Sequence, residues 1–143
     1  MIIQVDTDCA QDFGVEVPSG KYADVWPEIV ERVKSRLIDA MPAGLYAEHA
    51  NRIIFAIAVD SIECWLLPLF TQQNKRAKTT GCLGELNQQL KKFGFTIDAK
   101  QKNKGGHYQK VVRKIKKRKD VEAMTKHQPS FRAFLDQLPE AVA

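Results

Sequence analysis

The chain opens on an apolar run, Met1 to Val5, broken only by Gln4 and rich in β-branched residues, which reads as a short buried strand. Asp6 to Gly20 reads as a loop, punctuated by Gly14, Pro18, Ser19 and Gly20. From about Tyr22 to Met41 the apolar spacing becomes helical. Val25, Ile29, Val33 and Leu37 fall on one stripe, Trp26, Val30 and Ile38 lie beside it, and Pro42 to Gly44 stops the helix. Arg52 to Val59 is apolar after its first residue and reads as a fully buried strand. A helix between two such strands suits a right-handed strand–helix–strand crossover.

Beyond Asp60 the pattern reads as helices joined by loops. Ser61 to Phe70 reads as a helix that Pro68 should kink or end. A polar, basic loop over Thr71 to Thr80 comes next. Leu83 to Phe93 reads as a helix stopped by Gly94, and Ile97 to Gly106 as a loop. His107 to Lys119 is expected to be one helix, with Tyr108, Val111, Val112 and Ile115 on one face and bases on the other, and Val121 to Lys126 one further turn. Pro129 to Leu138 makes a final helix with Phe131, Phe134, Leu135 and Leu138 inward. The fold class expected is α/β: a small parallel sheet flanked by helices, with a helical, basic C-terminal part. Two strands make a poor sheet. Further strands are therefore expected near 45–48 or 95–98, or before Met1.

With 143 residues, 44% of them apolar and 27% charged, the chain suits one domain with a real core. That domain divides into an acidic strand–helix–strand part over 1–70 and a basic helical part over 71–143. No stretch approaches the roughly 20 apolar residues of a membrane span. The start meets an acid at Asp6 with no basic residue before it, unlike a secretory leader. Three cysteines (Cys9, Cys64, Cys82) with no C-x-x-C pair argue against a disulfide framework or a zinc ribbon and suggest a reducing cytoplasm.

Charge is segregated along the chain. Residues 1–70 carry 11 acids and 5 bases, whereas residues 91–119 carry 12 bases and one acid, Asp98. Such a segment attracts polyanions through phosphate neutralisation and counterion release; the bland alternative is a solvated helix face. Lys104, Lys110, Arg113, Lys114, Lys117 and Arg118 are the candidates to hold a phosphate backbone.

Two acidic sets follow the two strands, where ligand sites of open α/β sheets lie. Asp6 and Asp8 would alternate on an extended backbone and point to one face. Close carboxylates repel unless a cation lies between them, and such oxygens suit Mg²⁺; as plain loop acids they would only cap a turn. Asp60 and Glu63 admit two readings as well: an N-cap with its capping box, or a further acid at the same sheet edge. Trp65 is expected in the core. The acids around Cys9 should disfavour its thiolate.

Val5-Asp6-Thr7-Asp8 after a strand resembles the Asp-x-Asp element of toprim domains, the metal-binding α/β folds of topoisomerases, primases and defence-associated nucleases. Ile57 to Leu67 is similar to the Ile-Glu-x-Trp-Leu-Leu segment of small toprim-like bacterial proteins, and Lys104 to Tyr108 and Pro129 to Phe134 resemble their C-terminal parts. The resemblance implies Mg²⁺ on Asp6 and Asp8, with Glu63 as ligand or general base in phosphoryl transfer on nucleic acid of the nuclease kind. The family's further strand and catalytic glutamate would fall before Met1. A non-catalytic nucleic-acid-binding module is the rival expectation. The third is a subunit whose basic face meets an acidic protein partner or a second copy.

Overall fold

In the computed structural model, residues 1–17, 22–101 and 106–139 are described. In chain order the elements are β1 (Ile2–Asp6), α1 (Tyr22–Asp39), α2 (Leu45–His49), β2 (Ile54–Ala58), α3 (Ile62–Phe70), α4 (Cys82–Leu90), α5 (His107–Val112), α6 (Arg118–His127) and α7 (Pro129–Leu135). They belong to two compact units. One is Met1–Asp60 with the residues from Pro129 onward; the other is Ser61–Gln128. The divisions fall at Asp60/Ser61 and Gln128/Pro129.

The first unit is built on β1 and β2, which pair in parallel with Ile2 opposite Ile54 and Asp6 opposite Ala58. The α/β class is therefore as expected, with a two-stranded parallel sheet and flanking helices. Phe55, Ala56, Ile57, Ala58 and Val59 are all buried, so β2 is covered on both faces, as its unbroken apolar run requires. Helix α1 packs on β2 and buries Ile29 and Val33, with Val25, Val30, Leu37 and Ile38 partly buried around them. These positions recur every three to four residues, and the stripe they form is the physical reason for the helix.

The residues 45–48 form helix α2 rather than a third strand. The far edge of β2 is instead satisfied by side chains from the C-terminal segment. The Phe55 N–H donates to Gln137 Oε1 at 3.1 Å, and Gln137 Nε2 donates back to the Phe55 carbonyl at 3.0 Å. The Val59 N–H reaches Ser130 Oγ at 3.5 Å. One carboxamide thus does locally what a neighbouring strand would do along its length.

In the second unit α3 packs against α4 and α6. Residues Glu63 to Pro68 are all buried, so α3 exposes no face along that stretch, and Trp65 is a core residue. Pro68 does not end the helix, which runs on to Phe70. The Thr71 N–H and hydroxyl both donate to the Leu67 carbonyl, at 2.9 Å and 2.7 Å, and close it there. The 95–98 segment is again no strand. Asn87 pairs with both backbone groups of Ile97, at 2.8 Å and 2.7 Å, and replaces a sheet partner.

The long basic helix expected over His107 to Lys119 is two helices. Helix α5 stops at Val112, and α6 starts at Arg118 and runs ten residues, far more than one turn. Asp120 sets the new start: its carboxylate accepts from the Lys116 and Lys117 N–H groups, both at 3.0 Å. A short acceptor reaching back onto its own backbone is a helix-start device, and it overrides the apolar spacing that runs through Ile115.

The cysteines also depart from expectation. Cys64 on α3 and Cys82 at the head of α4 form a disulfide with Cα atoms 5.0 Å apart, and only Cys9 is free. The eighteen-residue separation matches no spacing signature, so only the helix packing brings the pair together. No described helix is long and apolar enough to cross a membrane.

Candidate nucleic-acid interface and acidic sheet edge

At the carboxyl end of the parallel pair, β1 finishes at Asp6 and turns directly into a 3-10 helix over Thr7–Phe13. Asp8 is therefore on a helical turn, not on the extended backbone expected for it, and strand alternation does not align it with Asp6. Asp6 is half-buried and its Oδ1 accepts from Gln4 Nε2 at 2.6 Å, while Asp8 is exposed. Thr7 between them is buried, and its hydroxyl accepts the Asp60 N–H at 2.8 Å. The Asp8 N–H donates to the Asp60 carbonyl at 2.9 Å. The Asp-Thr-Asp run is thus tied by its backbone and its threonine to Asp60, the residue just past β2.

Asp60 has φ of 63°, a left-handed conformation that aspartate tolerates better than most residues. The residue at the helix N-cap is Ser61, one past the Asp60 expected there. Within the first unit, the acid that shares the sheet edge with Asp6 and Asp8 is Asp60. Its position immediately after an apolar strand is the sequence signal for it. Cys9 donates its thiol to the Asp6 carbonyl at 3.0 Å. Burial, and then the charges of Asp8 and Asp6, push that thiol above its ordinary range and disfavour its thiolate.

Glu63 belongs to the second unit, unlike Asp6 and Asp8. Its side chain is 0% exposed, and Tyr108 on α5 donates its hydroxyl to Glu63 Oε1. The carboxylate therefore ties α3 to α5 in the interior, with no path to solvent for a general base.

Lys110, Arg113, Lys114, Lys117 and Arg118 are all exposed. They lie on α5, on the first turn of α6 and on the link between them, so the break in the helix leaves the whole set facing solvent. Lys104 lies outside the described residues. Not every base in the chain is available in this way. Lys75 and Lys78 hold the buried Glu85 at 2.9 Å and 3.9 Å, whereas Arg118 stays exposed although it also meets Glu122 at 3.0 Å. The hydrogen bond from Lys75 holds the Glu85 carboxyl below its ordinary pKa despite burial. The Lys116 and Lys117 amides do the same for Asp120.

Aromatic rings lie among these bases, which the charge pattern alone did not reveal. Lys114 Nζ is 4.3 Å from the centre of the Phe93 ring, and Lys110 Nζ is 5.4 Å from that of Phe95. Phe93 meets Phe70 edge-on at 6.2 Å, and Phe95 lies 5.7 Å from the His107 ring. Lysines standing over aromatic faces are cation–π contacts of ordinary strength.

No family model, curated protein or solved structure matches the chain.

Proposed function

We propose that the second unit binds nucleic acid through its phosphate backbone. The observation that carries this reading is the exposure of Lys110, Arg113, Lys114, Lys117 and Arg118 across consecutive helices, within a segment of 12 bases and one acid. Cations so placed release condensed counterions when they meet phosphates, and they give affinity without sequence preference. The test is binding of mixed-sequence oligonucleotides to the full chain over a salt series. Log Kobs should fall linearly with log salt. The Lys110→Ala/Arg113→Ala/Lys114→Ala variant should lower that slope by about 0.7–0.9 for each phosphate it no longer neutralises. Binding that ignores salt, or a variant with the wild-type slope, refutes the reading.

One observation favours a second reading, toprim-like Mg²⁺-dependent phosphoryl transfer. Asp6 ends a strand of a parallel pair at its carboxyl end and Asp8 lies just past it, and carboxylate oxygens there are the donors a hard dication takes. In this reading Asp6 and Asp8 hold the ion, which would polarise a phosphate when bound. Glu63 takes no part in it, since its carboxylate is enclosed and held by Tyr108. Mg²⁺ should then raise the melting temperature of the wild type but not of Asp6→Asn/Asp8→Asn. Equal responses of the two proteins would remove the metal site.

A further inference from the structure

Phe93 is 52% exposed, a large apolar ring left in water at the end of a 3-10 turn that begins with Lys91 and Lys92. Phe70 stands edge-on to it and Lys114 lies over it at 4.3 Å, so the ring is held in place and carries a cation on its face. A second pair, Phe95 and His107 with Lys110 at 5.4 Å, repeats the arrangement within the same unit. A phosphate-binding surface alone requires none of these rings.

We propose that this surface takes single-stranded nucleic acid, with an unpaired base stacking on Phe93 while Lys114 turns from the ring to a phosphate. The inference rests on the nucleic-acid reading above and adds the class of ligand. A duplex keeps its base faces stacked inside and offers an exposed ring nothing beyond its grooves, whereas a single strand presents a π-face at every nucleotide. Aromatic platforms set among cations are how proteins hold single strands without reading sequence. Lysine fits the second part of the device. Its ammonium sits on a flexible stem that covers apolar surface and still reaches water.

The experiment compares the full-length chain on labelled oligothymidylate and on a mixed-sequence duplex of equal length, by fluorescence anisotropy at one fixed salt concentration. Oligothymidylate should bind more tightly. Phe93→Ala should weaken it by roughly tenfold, as loss of one stacked base does, and leave duplex affinity within about twofold; Phe93→Tyr should bind as wild type. A second measurement needs no variant: photo-crosslinking of 5-iodouracil oligonucleotides should place the adduct on Phe93. Equal affinity for the two ligands, equal losses on both in Phe93→Ala, or adducts only elsewhere overturn the single-strand proposal and leave phosphate binding standing. If neither ligand binds at all, the underlying nucleic-acid reading fails as well.

Discussion

Reduction of the Cys64–Cys82 disulfide should cost the second unit a large part of its stability. The bond closes a loop with a sequence separation of 18 between α3 and α4. In the chain-entropy picture a loop of this length removes enough freedom from the unfolded state to stabilise the folded one by roughly 3 kcal/mol. Both sulfur-bearing residues are buried, Cys64 fully and Cys82 almost so. The free thiols would stay beside each other as small apolar groups, so little of the loss is offset by relaxation. For a unit of this size about 1 kcal/mol moves the melting temperature by roughly 4–8 °C, so the reduced protein should melt about 10 °C or more below the oxidised one. The assay is thermal unfolding followed by far-UV circular dichroism, with and without a phosphine reductant, beside Cys64→Ala/Cys82→Ala. Reductant should shift the wild type and leave the double variant unchanged. Thiol titration of the denatured, unreduced chain should count one thiol, Cys9. Three thiols, or a wild-type melting point that ignores reductant, would refute the reasoning.

Three further outcomes follow from the packing. Gln137→Ala should destabilise the first unit by about 1–3 kcal/mol in denaturant melts, because it strands the buried Phe55 N–H and carbonyl; a loss below about 0.5 kcal/mol would show that water replaces the amide. The lowered pKa of Glu85 gives stability that is complete above the ordinary carboxylate pKa near ~4.3 and is lost as the pH falls through the lower folded value. Unfolding curves of Glu85→Gln should therefore fall below the wild type at neutral pH and converge on it in acid; a gap that stays constant with pH would show that Glu85 acts by packing alone. If Glu63 serves as an interior tie, Glu63→Gln and Tyr108→Phe should be non-additive in stability, with a coupling of about 0.5–3 kcal/mol, and simple additivity would show that they act independently.

Periodicity carried most of what the sequence disclosed. The stripe through Ile29 and Val33 and the apolar run into Val59 each have one burial pattern that satisfies them and are found near their expected places; the strand over Ile2–Asp6 also forms, but its residues are exposed or half-buried instead of buried as its apolar run suggests. The misplaced features depend on partners distant in sequence. A two-stranded sheet leaves edges open, which is the reason to expect further strands, yet Gln137 and Asn87 satisfy backbone groups with their carboxamides, and no local pattern announces that. The Cys64–Cys82 pair depends in the same way on helix packing. The break between α5 and α6 turns on Asp120, the acid that ends a run of bases.

For the candidate site, Lys110, Arg113, Lys114, Lys117 and Arg118 are exposed in the segment that charge segregation marks, but that pattern hid Phe93 and Phe95, which lie in short apolar words outside any amphipathic stripe. Glu63 was legible as a buried position, since it sits within an otherwise apolar helix; the acidic spacing drew it toward chemistry instead.

The first unit is discontinuous, and this has a consequence for synthesis. Its sheet can pair once Ala58 has left the ribosome, but the Phe55 amide and carbonyl have no protein partner until Gln137 emerges. The whole of Ser61–Gln128 is translated in between. A nascent chain therefore finishes the later unit first and carries an unfinished strand edge while it does so. Unfinished edges of this kind are where pairing with the wrong chain begins. A ribosome stalled short of residue 137 would hold the protein with that edge of β2 still open.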